Sequence, residues 1–243
     1  MSVVPPVIKI AQASRILASL AIVDAFGHVS CRSDGGATFF MSRSLAPELV
    51  QPSDVVELDL SGECQSYPEA RLFLERFIHS EIYRARPDVA AIVHSHCQSV
   101  LPFTVVPTVR VRPIFHICGF LAGTPGPFDI ADHVGRSSDL LVRTAALGKR
   151  LAEHLGNHSV VLMRGHGFTA VGQSIEEAVF RAVYTARNCE VQSAAMGLGD
   201  PVFLSDEEAK ACDSTTRSQL DRAWALWLRR IPNFDEKTTR ENL

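Results

Sequence analysis

The sequence predicts an α/β fold, a mixed sheet flanked by helices, in one domain over residues 1–243. Three observations carry this. Two short apolar runs, Val89-Ala90-Ala91-Ile92-Val93 and Val160-Val161-Leu162-Met163, have the length of strands rather than helices. An early hairpin signal, Ser33-Asp34-Gly35-Gly36, stands between two runs rich in strand formers. Longer stretches with helical periodicity lie between and after them, two of them opened by a Ser-x-x-Glu cap. Strands interleaved with helices in this way bury a sheet against helical layers.

Each element has its own signal. After Pro5-Pro6, apolar residues Ile8, Ala11, Ile16, Leu17, Leu20 and Ile22 recur at helical spacing, which predicts an amphipathic helix over 8–23 closed by Gly27. His28 to Arg32 and Thr38 to Met41 form the hairpin, and Val55 to Leu60 is a further strand stopped by Ser61-Gly62. Residues 71–86 read as a helix that Pro87 ends, with Glu75 and His79 four apart on one face. Val89 to His94 is a buried strand, and residues 105–117 read as one or two strands interrupted by prolines. Residues 119–128, rich in Gly and Pro, are a loop, and 140–155 a helix ending near Gly156-Asn157. The strand over 159–163 leads into Gly165-His166-Gly167. Ser174-Ile175-Glu176-Glu177 opens a helix to about Met196, and Ser205-Asp206-Glu207-Glu208 opens a last helix through Trp224 and Trp227, read as a subunit contact.

Composition narrows the function. With 46% hydrophobic and 21% charged residues, a net charge of −3 and scattered basic residues, the chain offers neither a nucleic-acid surface nor a polybasic membrane patch. Met1-Ser2-Val3-Val4-Pro5-Pro6 lacks a basic start with an apolar core, and no stretch is long and apolar enough to span a bilayer. Six cysteines without paired spacing fit reduced thiols, so a soluble cytoplasmic protein is expected.

The chemistry resides in histidines. In a strand, residues i and i+2 share a face, so His94 and His96 project together, and His166 can join them from the second apolar run. A His-x-His pair alone is an ordinary strand end. Glu75 upstream and a third histidine between two glycines turn it into a candidate centre for zinc or another divalent metal, with one position open for a reactant. His133, His154 and His158 lie in polar contexts and receive no role, and Cys97 reads as core.

The runs Glu75-Arg76-Phe77-Ile78-His79, Tyr83-Arg84-Ala85-Arg86-Pro87-Asp88-Val89, Val93-His94-Ser95-His96 and His166-Gly167 resemble the class II aldolase/adducin family. Glu75 precedes His94 by the family's 19 positions, Gly27-His28-Val29-Ser30 is similar to its glycine loop, and Phe203 to Glu208 to its C-terminal helix start. The resemblance spans about residues 8–212. It implies a three-layer α/β/α fold with a central mixed, largely antiparallel sheet, His94, His96 and His166 as metal ligands, Glu75 as acid/base, and a homotetramer with active sites between subunits; the ligand set suits manganese and zinc alike, and manganese is taken first.

The departures bear on substrate. Family aldolases hold a sugar phosphate with two serines before the glutamate and an asparagine in the glycine loop, where this chain has Phe73-Leu74 and His28. A phosphate dianion needs several donors, and Phe and Leu supply none. Ser42-Arg43 and Arg71 are candidate clamps for carboxylates, since a guanidinium grips them bidentately. The segments 24–30, 40–47 and 113–121 are most similar to the branch that decarboxylates hydroxylated aromatic dicarboxylates, first 3-hydroxy-2-methylpyridine-4,5-dicarboxylate of vitamin B6 degradation, then a dihydroxyphthalate. Retro-aldol cleavage and loss of CO2 beside a phenol both leave enolate-like charge, which one Lewis acid can serve. Glu75, tuned by burial beside Phe73, Leu74 and Phe77, is the expected acid, with His79 or His116 sharing the proton work. The alternatives are an aldolase or dehydratase of a non-phosphorylated sugar acid, and an adducin-like assembly module without chemistry.

Overall fold

The computed structural model describes residues 4–64, 66–67 and 69–232, so the outermost residues of the expected 1–243 domain, including Met1 to Val3, lie outside the description. Helix α1 (Pro6–Ser19) precedes β1 (His28–Arg32), β2 (Thr38–Ser42) and β3 (Val55–Asp59). Then follow α2 (Arg76–Ala85), β4 (Ala91–Ser95), α3 (Leu101–Val105), α4 (Ala131–Val134) and α5 (Ala145–Leu155). The chain closes with β5 (Val160–Met163), β6 (Gly167–Gly172), α6 (Ile175–Leu198), α7 (Asp206–Arg217) and α8 (Leu220–Leu228).

The six strands form one sheet in the order β3-β2-β1-β4-β6-β5, with every ladder antiparallel. Among the described residues the sole parallel pairing is an isolated bridge between Phe128 and Met163. Strand alternation divides the core by sheet face. Val29, Ala91, Val93, Leu162, Phe168 and Ala170 pack with residues of α1, α6 and α8. On the opposite face Phe39, Met41, Leu58, Ile92, Val161 and Val171 pack with residues of α2 and α5. The result is the three-layer α/β/α arrangement. Helix α2 buries Ile78 and Ile82 together with the polar pair His79 and Tyr83, each pair four residues apart and so on one face. Each fully buried isoleucine contributes about 1.5–3 kcal/mol.

Tertiary structure overrides local propensity in several places. Residues 71–75 do not extend α2: Ser44 N–H donates to the Arg71 carbonyl (2.7 Å), and Leu72 and Phe73 pack against the core, so the helix starts at Arg76 with Glu75 at its N-cap. Residues 105–117 form no strand. Their backbone is taken up by side chains of α6: Gln192 accepts from Arg112 N–H (3.1 Å) and donates to the Arg110 carbonyl (2.7 Å), while Asn188 accepts from Ile114 N–H (3.0 Å) and donates to the Arg112 carbonyl (2.9 Å). A 3-10 turn at His116–Leu121 follows, where the sequence suggested the start of a loop. The first helix stops at Ser19, with Ala21 in the left-handed region. Helix α5 begins only after Thr144, whose side chain caps Leu147 N–H.

Strand β6, absent from the sequence reading, returns antiparallel to β5. Ser205 and Glu208 close a reciprocal capping box. Ser174 caps Glu177 N–H, but the Glu177 carboxylate accepts from Gln173 N–H instead of completing a box. The last helix breaks into α7 and α8, and Trp227 is buried against Phe180 and Tyr184 of α6 within the same chain. All six cysteines are free. Among the described residues no helix is long and apolar enough to cross a membrane.

Candidate metal centre

Register brings the histidines together. His28 of β1 lies opposite His94 of β4, with ring centroids 4.9 Å apart, on the sheet face covered by α2. His96 follows one residue beyond the end of β4. Because β6 pairs with β4 (Ser95 opposite Phe168, His94 opposite Thr169), the turn joining β5 and β6 falls beside His96 and delivers His166 to it. This approach requires glycine: a Cβ on Gly167 would stand 2.2 Å from the Ser95 carbonyl oxygen.

The His96 Nε2 atom lies 2.9 Å from both His94 Nε2 and His166 Nε2. Glu75 Oε2 lies 3.3 Å from His166 Nε2 and 3.7 Å from His94 Nε2, and the four ligand atoms all fall within 4.8 Å of one another. Nitrogens bound tetrahedrally to one ion at 2.0–2.1 Å would stand about 3.3 Å apart. The donor set therefore fits a divalent metal. Tautomers agree: His166 Nδ1–H donates to the Leu140 carbonyl (2.8 Å) and His94 Nδ1 pairs with Thr169 Oγ1 (3.2 Å), which leaves the Nε2 lone pairs converging.

Electrostatics separates the three imidazoles. Burial, then neighbouring imidazoles, pushes His94 well below the ordinary histidine range. His96 is lowered by burial and by His166, against the pull of Glu75. For His166 burial acts downward, but hydrogen bonding and charge from Glu75, with help from the Leu140 carbonyl, leave it raised. Without metal, His166 is thus the ring that holds a proton best. Glu75 is itself buried, and its Oε1 accepts from Val142 N–H (2.9 Å). Of the three apolar residues expected to surround Glu75, Leu74 is 56% exposed, so the carboxylate is oriented by a backbone amide rather than sealed by that side chain.

The other candidates divide. His79 has no exposure and does not touch the cluster: it bonds His28 and Ser30. Phe73, in the place of a phosphate-binding serine, packs its ring 4.6 Å from that of His28. Ser42 is buried at the end of β2; continuing the register Ser30 to Met41 puts Ser42 opposite Val29 and Arg43 opposite His28, at the same sheet end as the cluster. Arg43 is half-exposed and pairs with Asp54 (2.8 Å). Arg71 is exposed, outside α2, and tied by its carbonyl to Ser44, next to Arg43. His116 is exposed, with its ring against Phe115 and not at the cluster of its own chain. A cavity of about 290 Å³ adjoins His96, lined by Asp24 and Glu190 and by no lysine or arginine.

Thr169, Leu140 and Val142 carry no signal legible in the sequence. The last two act through backbone atoms, and Leu140 does so at φ +63°, a conformation that costs a non-glycine residue about 1–3 kcal/mol.

Fold and cluster together are those of the class II aldolase type, with a His/Glu group that could hold a metal ion, and comparison with known proteins agrees on fold and family. Residues 8–193 match the family described as Class II Aldolase and Adducin N-terminal domain. The chain belongs to this family. It is 41% identical over 234 residues to decarboxylase tropJ of Talaromyces stipitatus, covering 86% of this chain and 88% of that protein. It is 29% identical to a 3,4-dihydroxyphthalate decarboxylase of Arthrobacter keyseri, covering 91% of this chain and 92% of that one. A solved aldolase II superfamily protein from Pseudomonas syringae shares the fold, with a TM-score of 0.76, 23% identity and 94% of each chain covered.

Proposed function

We propose that this protein is a metal-dependent, non-oxidative decarboxylase of a hydroxylated aromatic dicarboxylate. The observation that carries the reading is the combination of Glu75 and three convergent histidines with a phenyl ring, Phe73 against His28, where an aldolase would place phosphate donors. The relatives named as decarboxylases support the reaction, and those named for 3,4-dihydroxyphthalate favour a benzene ring over 3-hydroxy-2-methylpyridine-4,5-dicarboxylate.

His94, His96 and His166 would hold the ion, manganese before zinc, which supplies a Lewis acid for the negative charge that develops on the ring oxygen. Glu75 moves the proton: held by Val142 N–H, it takes it from the ring hydroxyl and returns it to the ring carbon that bears the departing carboxylate. The carbon–carbon bond then breaks, CO2 leaves, and the ring keeps the electron pair. Arg43 and Arg71 bind the carboxylate that stays, and His28 contacts the ring substituents. His79 supports His28 and does not reach substrate. The assembly is a homotetramer in which the exposed His116 serves a neighbouring subunit's site.

The test is CO2 release from manganese-loaded protein given 3,4-dihydroxyphthalate or the pyridine dicarboxylate. Turnover of a sugar acid without CO2 would overturn the reaction; a protein whose purified form binds no manganese or zinc would favour the assembly module.

A further inference from the structure

One face of β1 and one face of α2 meet in an unbroken line of polar side chains. His28 and Ser30 are two apart on the strand, His79 and Tyr83 four apart on the helix. His28 Nδ1 lies 2.7 Å from His79 Nε2, His79 Nδ1 lies 2.6 Å from Ser30 Oγ, and Ser30 Oγ lies 2.7 Å from Tyr83 Oη. Ser30 and His79 have no exposure and Tyr83 has 1%.

We infer that this line fixes His28, whose ring lies against that of His94, as a neutral donor with its proton on Nε2, and that His79, Ser30 and Tyr83 are its positioning residues. The direction follows from counting protons. Among the described residues Tyr83 Oη has one hydrogen-bond partner, Ser30 Oγ, so the phenol proton points there. Ser30 then spends its single proton on His79 Nδ1. His79 is neutral, because burial pushes its pKa down to about 3, so its one proton sits on Nε2 and is donated to His28 Nδ1. His28 is left with Nε2–H. The opposite direction would leave the phenol proton buried without an acceptor, the costlier defect. The His28 residue is 5% exposed.

The consequence is chemical. His28 presents a donor and no lone pair, so it selects an acceptor oxygen, a carboxylate or a phenolate, and takes no part as a base. This deepens the function proposed above and rests on it for the identity of the oxygen, but the tautomer is measurable without any substrate.

In zinc-loaded protein carrying 15N-histidine, long-range 1H–15N correlations assign each ring's tautomer, and the His28 signals are identified by their loss in His28→Gln. Protonated Nε2 and bare Nδ1 are expected. A His28 protonated on Nδ1, or averaging between the two, overturns the inference even if the protein releases CO2 from 3,4-dihydroxyphthalate; the expected tautomer in a protein that releases none overturns only the reaction. As a second arm, Ser30→Ala should weaken binding of phthalate, used as a probe, about tenfold with zinc content unchanged, and Ser30→Thr, which restores the hydroxyl, should recover most of it. Phthalate affinity unchanged in Ser30→Ala overturns the positioning role. Where the alanine variant does not fold, the wild-type spectrum decides.

Discussion

Acidifying the metal-free protein should unfold it through histidines that the fold keeps neutral, and His79 sets the scale. Its ring is wholly buried, and burial lowers its pKa to about 3, against about 6.5 for an exposed imidazole. The unfolded chain takes up a proton as pH falls past the ordinary value, whereas the folded chain does not until the lowered one. Stability from this group is therefore complete above the ordinary value and drains as pH falls toward 3. From pH 7 to pH 5 the loss is RT ln(1 + 10^1.5) less a small residue at pH 7, or about 2 kcal/mol for His79 alone. His28 and His94, also lowered by burial first, act in the same direction. His166, raised, acts oppositely, since its contribution is present at low pH and lost as pH rises through its folded value. The assay is urea denaturation in EDTA at the two pH values. His79→Gln should lose about 2 kcal/mol less than wild type between them, whatever its stability at pH 7. Equal losses in the two proteins would refute a neutral buried His79.

Four further outcomes are expected. Glu75→Gln keeps an acceptor for Val142 N–H and the shape of the side chain, so bound metal should be retained while turnover falls about 10²–10⁴-fold; near-normal turnover would remove Glu75 from the proton transfer. His94→Ala should lose both metal, by elemental analysis, and activity. Gly167→Ala drives a Cβ into the Ser95 carbonyl and should cost about 1–3 kcal/mol in denaturant melts, with weaker metal binding from the displaced hairpin. Arg43→Gln should raise KM for the dicarboxylate about tenfold with kcat preserved, in keeping with loss of a charge-assisted contact outside the reacting carbon.

The elements that position the clustered histidines were legible because their signals are local. The hairpin of β1 and β2, the apolar runs of β4 and β5, and the i, i+2 spacing of His94 and His96 are all written in consecutive residues. Glu75 was noticed beside the three histidines, resemblance gave it a role and a spacing, and the structure brings all four within reach of one ion. What was misread depends on distant partners. Residues 105–117 have strand composition, but the amide side chains of Asn188 and Gln192, more than 70 positions away, occupy the hydrogen bonds a neighbouring strand would have made. Residues 71–75 have helical spacing, yet the pull of Ser44 on one side and Val142 on the other holds them outside the helix. His79 looked like a second acid because it sits one turn from Glu75; with Glu75 at the cap, its ring turns instead toward β1.

The Leu140 carbonyl and the Val142 amide grip His166 and Glu75 from a single three-residue stretch. Neither grip uses a side chain. The stretch can therefore change its letters while keeping its path, and a search for residues in common would pass over it. Its signature is a backbone trace, and redesign of this centre should hold that trace fixed before choosing any amino acid to place on it.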